Sequence, residues 1–329
     1  MRRRLFDGPD QGLGEELHLL ETVPAPGREG GACSLAACLQ VALRAAGQPT
    51  TYAQLMGQSG AAFMLRVAEG FPGDLALAGR EEYVAPALLE LGRQAALTHD
   101  PDAPTTFDLC RSETMAGRPA LARGWGSNPA EWAVIVGVQG TDLLGHCLGG
   151  GGRRERHAPV LTSLLTLGEA VAPLPAPDLV RVALVRAHAL LQSAVAQYDV
   201  WLALLQSPEP YGPPLSRTQA FLGEQWLSAC LADAREAAAR YLASLTETAS
   251  EDFAEALSPA ADCAERLAEE AERLLVPPDA IHRAHLPEDL DWRQRRCETL
   301  SALRALELKL QDHLRRALRE GGNSTHPDE

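Results

Sequence analysis

The residue best placed to do chemistry in this chain is Cys33, which follows Gly30-Gly31-Ala32. After it, Leu35, Cys38, Leu39, Ala42 and Leu43 recur at helical spacing, so a helix is predicted over 33–46 with Gly47 at its C′ position. A cysteine in the first turn of a helix sits among unpaired backbone N–H groups and the positive end of the macrodipole. Both stabilise thiolate, and the same N–H groups can hold a developing oxyanion. Cys38 lies five residues further on, about 140° around the helix, and is predicted to be core.

A nucleophilic thiol needs a base and a group to orient it. Glu131 precedes the β-rich run Trp132–Val138, and His146 lies on the strand expected to return after the turn at Gly140-Thr141; His99 and His157 could in principle reach a pocket but read as surface histidines. A simple hairpin centred on 140–141 puts His146 opposite Ile135, with Glu131 on the same face but four residues away, roughly 13 Å. Ser59 and Phe63 could shape a pocket wall. Trp125 and Asn128 sit in the loop before the buried strand and Trp132 opens that strand, so all three are candidate substrate contacts. Thr22 to Gly31 offers no Gln or Asn as a side-chain oxyanion donor.

The elements that must position these residues fall into two groups. In the first half, short helices are expected at 33–46, 52–56 and 84–91, and strands at 119–122, 132–138 and 143–148. Pro173, Pro175 and Pro177 mark a boundary. Beyond it, helical spacing dominates over roughly 179–206, 215–246, 251–276 and 293–319, which suggests a bundle. In the second of these, Leu222, Trp226, Cys230, Ala237, Tyr241 and Leu245 form one stripe, with Arg and Glu expected on the solvent side. The expected organisation is therefore an α+β domain over 1–176, an all-α helical bundle over 177–320 and a disordered tail over 321–329.

Several pieces together resemble the papain-like family that includes the N-terminal domain of butirosin biosynthesis protein H, and more distantly the bacteriocin-processing cysteine peptidases. They are Gly30-Gly31-Ala32-Cys33-Ser34, the segment Met56-Gly57-Gln58-Ser59-Gly60-Ala61-Ala62-Phe63, Gly117-Arg118-Pro119, and Glu131-Trp132-Ala133-Val134-Ile135-Val136-Gly137. The resemblance covers about residues 25–170. It implies a papain-like α+β fold and thiol chemistry on acyl groups, with Cys33 matching the nucleophile. The family pattern expects a histidine just before the buried strand, where this chain has Glu131, and an Asp or Asn on the returning strand, where it offers His146. Two functions follow. One is a cysteine-dependent acyl transferase or amidohydrolase in which His146 is the base and Glu131 orients it. The other is a catalytically degenerate scaffold that binds a small molecule or peptide and recruits a protein partner, or a second copy, through its helical half. A Cys33 buried in apolar surroundings, with no histidine within hydrogen-bond reach, would favour the second.

Composition narrows the rest. The 329 residues carry a formal charge of −14, and Lys309 is the only lysine, which argues against nucleic acid and anionic membranes as partners. The Ala- and Arg-rich usage reads as a GC-rich, bacterial genome. Seven scattered cysteines with no C-x-x-C pair fit reduced thiols in cytoplasm. Acidic residues follow Met1-Arg2-Arg3-Arg4 too soon for a signal peptide. His282, His285 and Glu288 make a poor metal set, and no dinucleotide fingerprint follows a strand, so no metal and no cofactor are expected. Gly149–Gly152 with Arg153, Arg154 and Arg156 could form a mobile, anion-binding lid or a solvated loop.

Overall fold

A computed structural model describes residues 17–26, 31–72, 81–127, 129–148, 152–207, 214–277 and 289–321. The chain is mixed α+β, with an antiparallel sheet and a C-terminal helical region. In order come β1 (Leu17–Leu19), α1 (Ser34–Ala45), α2 (Tyr52–Gln58), a 3₁₀ turn (Ala61–Phe63), α3 (Val84–Glu90), β2 (Arg93–His99) and α4 (Ala103–Met115). Then follow β3 (Ala120–Arg123), β4 (Trp132–Gln139), β5 (Asp142–Cys147), β6 (Glu155–His157) and β7 (Ser163–Ala170), and finally α5 (Ala176–Gln206), α6 (Pro214–Thr248), α7 (Glu251–Glu272) and α8 (Leu290–Gly321).

The strands run in the order β2-β7-β3-β4-β5-β6, with β1 beside β4. Trp132 to Val138 is buried on both faces because α1 covers one side of β4 and α4 the other. Trp132, Val134 and Val136 join the large core that includes α1, while Ala133, Ile135 and Val138 join a smaller one around Cys110 of α4. Strand β2, helix α4 and strand β7 were not foreseen, nor were the short β1 and β6. The first carries only weak alternation, and α4 begins at an Asp102 cap followed by Pro104 and two threonines, which reads as a turn.

A bulge between Ile135 and Gly137 corrects the expected hairpin register: His146 faces Val134, not Ile135. Because strand side chains alternate, that single step moves His146 to the α1 side of the sheet.

The four C-terminal helices begin and end within a few residues of their sequence patterns, and Pro259 is accommodated inside α7. The stripe expected on α6 is corrected in two ways. Leu222 is exposed, while Glu224 and Arg235, expected in solvent, are fully buried. The physical reason is that α6 packs on two sides, against α7 within the bundle and against α2 and the 3₁₀ turn of the first half. Its buried charges find partners on α8: Glu224 with Arg296 and Arg235 with Glu307. One continuous apolar core therefore runs through both halves.

A polar seam lines their junction. The amide of Gln58 donates to Glu90 Oε2 at 2.8 Å and its carbonyl accepts from Tyr241 Oη at 2.9 Å. Arg186 of α5 pairs with Glu90, and Arg235 Nη1 donates to the Ala62 carbonyl at 2.6 Å.

Candidate functional site

Cys33 is the N-cap residue of α1, with extended backbone (φ −81°, ψ 96°). The start of β4 fixes the helix behind it. The Trp132 N–H donates to Ser34 Oγ at 3.1 Å, and Cys38 Sγ donates to the Trp132 carbonyl at 3.3 Å. Cys38 is fully buried, and that burial pushes its thiol well up, helped by Cys33, Cys147 and Glu131. It is a core thiol.

Cys33 is 3% exposed. It borders two cavities of about 20 Å³ each, one shared with Leu35, Leu55, Ser59, Val84 and Leu88, the other with Glu81, Arg123, Ala130 and Trp132. A space of that size holds about one water. Its backbone N–H donates to Tyr52 Oη at 3.1 Å, and that phenol donates to Asp233 Oδ2 at 2.6 Å. The amide nearest the thiol, the first choice for an oxyanion, is thus already engaged.

The expected partners divide. His146 is 6% exposed and on the α1 face, with Nδ1 at 3.3 Å from the Arg153 carbonyl. Burial lowers its pKa, with the Arg154 charge adding to the effect and the Arg153 contact opposing it. Among the described residues, neither Cys33 nor Glu131 is hydrogen-bonded to His146. Glu131 lies just before β4, close enough for its charge to raise the Cys38 thiol. Ser59 and Trp132 each border a Cys33 cavity, and Phe63 is fully buried in the surrounding core. Trp125 is not brought to Cys33. It packs in the smaller core across the sheet, because the residue opposite its ring is Gly145, paired with Ile135 on the α4 side. Asn128, Gly149–Gly151, His282, His285 and Glu288 lie outside the described residues.

Beyond Trp125 a single carboxylate gathers a loop. Glu155 accepts from Ser127 N at 2.8 Å and Ser127 Oγ at 2.6 Å, and lies 2.9 Å from His157 Nε2. These bonds hold its pKa low despite partial burial. Arg156, one of the three candidate lid arginines, is paired with Asp142 at 2.8 Å.

Sequence reasoning missed Tyr52 and Asp233. A usable signal existed for the second: Asp233 interrupts the apolar run Ala229-Cys230-Leu231-Ala232, where a lone acid on a buried helix calls for a partner. Two wider clefts follow the junction of the halves. One, of about 860 Å³, lies between α5 and residues 64–68; the other, of about 400 Å³, lies between α2 and α6.

No family model matches the chain, and no curated protein matches it. Helix α5 is long and apolar enough by composition to cross a membrane, and it buries Ala183, Leu184, Leu191, Tyr198 and Trp201 against the rest of the chain. None of the seven cysteines is in a disulfide.

Proposed function

We propose that this protein is a binding or assembly module on a papain-like scaffold, with Cys33 chemically silent in the resting state. One observation carries the reading: Cys33 is 3% exposed beside cavities that hold about one water, and among the described residues no imidazole is hydrogen-bonded to it. An acyl substrate has no room there. The papain-like identity draws support from a cysteine at the start of a helix that packs on an antiparallel sheet. The clefts of about 860 and 400 Å³ along the junction give a small molecule or peptide somewhere to sit, and the long helices offer a surface to a protein partner or a second copy. Cysteines without disulfides fit a reducing, cytoplasmic setting.

A second reading, acyl transfer or amide hydrolysis through Cys33, is favoured by two placements. The thiol sits at the positive end of α1, and the bulge in β4 turns His146 toward that face.

Alkylation of each cysteine by iodoacetamide from pH 5 to 9, read by peptide mass spectrometry, separates the two. The module reading expects Cys33 to react as slowly as Cys38 and His146→Ala to change nothing. Fast reaction at Cys33 that slows in His146→Ala would replace it with the acyl-transfer reading.

A further inference from the structure

Asp233 belongs to the helical half, yet it reaches the backbone beside Cys33. Through Tyr52 Oη, its carboxylate is two hydrogen bonds from the Cys33 N–H, at 2.6 and 3.1 Å. Its other oxygen lies against Gly31, where a Cβ would stand 1.7 Å from Asp233 Oδ1 and 2.7 Å from Tyr52 Oη. Gly31 also has φ of +118°, so only glycine admits the approach.

The arrangement has an electrostatic consequence for the thiol. A carboxylate accepting from the phenol leaves its oxygen electron-rich at the Cys33 amide. Burial and the Asp233 carboxylate hold the Tyr52 phenol in its protonated form. With the Cys33 N–H taken by Tyr52, that donor is withheld from the Cys33 side chain. Among the described residues, the other charged groups that line a cavity with Cys33, Glu81 and Arg123, oppose each other across 3.5 Å.

We propose that Asp233, acting through Tyr52, is a positioning residue that latches the Cys33 segment to the helical half and keeps its thiol unreactive. The latch rests on the silent-thiol reading and goes beyond it by naming what enforces the silence. Withdrawing Asp233 leaves Tyr52 without its acceptor and unties the Cys33 segment from α6, so reactivity at this site is set from the other half of the molecule.

The test is the alkylation pH profile of each cysteine in full-length wild type, D233N, Y52F and E236Q. Asp233→Asn keeps the shape of the side chain and removes its charge; Glu236→Gln alters another wall of the same cleft without touching the latch. In D233N and Y52F, Cys33 is expected to react about tenfold faster at pH 7.5. Cys38 and Cys110 stay slow, and E236Q behaves as wild type. If Y52F does not fold, D233N decides alone. A rate ratio of one overturns the latch, as does acceleration of all buried cysteines together, which would mean general loosening. The wild-type rate at Cys33 judges the silent-thiol reading, and the variant-to-wild-type ratio judges the latch, so either can fail without the other.

Discussion

His146 stays neutral more readily than a free histidine because its ring is buried on the inner face of β5 and Arg154 adds positive charge nearby. Its folded pKa is lowered, so below the unfolded value of about 6.5 the unfolded chain binds more protons. The stability contributed by the neutral ring is complete above that value and is lost as pH falls through it toward the lower, folded one. Urea midpoints measured from pH 7.5 to 5 should fall, and His146→Gln should flatten the slope. His313, whose pKa is also lowered by burial, adds to the same trend, so a His313→Gln background isolates the His146 share. A second residue-scale expectation concerns Gly57 in α2. Gly→Ala in a helix normally stabilises by about 0.4–1 kcal/mol. Here a Cβ would stand 2.1 Å from the Tyr241 ring of α6. Gly57→Ala should instead destabilise by about 1–3 kcal/mol, as overpacking does, and lower the urea midpoint.

Helices α6 and α8 are tied by two buried ion pairs of opposite polarity. Glu224 faces Arg296, and Arg235 faces Glu307 at 2.5 Å with both side chains at 0% exposure. Burial raises both carboxyls while the facing guanidinium pulls each back, and Tyr198 Oη adds a hydrogen bond to Glu307 at 3.0 Å. Removing one partner strands a charge in the core, so Arg235→Ala should cost about 3–5 kcal/mol in chemical denaturation. Arg235→Met with Glu307→Leu removes both charges and should recover most of that loss. Recovery would mean the pairs set the register of α6 on α8 more than they add stability. A double variant as unstable as the single one would overturn that assignment. The spacing is visible in the sequence, Glu224 to Arg235 and Arg296 to Glu307, but only as charges that a solvated face would also carry.

At the scale of the molecule, the two halves share one core, and α2 and the 3₁₀ turn pack on α6. Leu55, Met56 and Phe63 are buried in the core that the helical half completes. The full chain should therefore unfold in one transition, with far-UV circular dichroism and tryptophan fluorescence coinciding in urea. A fragment ending at 175 should bind a hydrophobic dye and show no cooperative transition. Two separated transitions, or a folded fragment, would show that the sheet-bearing half closes its own core.

Periodicity alone determined the four long helices, because α5, α7 and α8 each bury one stripe at helical spacing, and it determined the β4–β5 hairpin, whose apolar run and Gly140 turn are local signals. It also placed Cys33 in the first turn of a buried helix, which in the structure begins one residue later with Cys33 as its N-cap. The tertiary structure decided everything that depends on long-range register. A one-residue bulge chose the face of His146, and packing across the sheet took Trp125 away from Cys33. Packing of α6 on two sides turned Glu224 and Arg235 inward, and a hydrogen bond spanning 181 residues joined Tyr52 to Asp233. Apart from the acid that Asp233 sets in an apolar run, these leave no local pattern, because each pairs residues whose own neighbourhoods are compatible with solvent exposure, and only the folded core makes exposure costly.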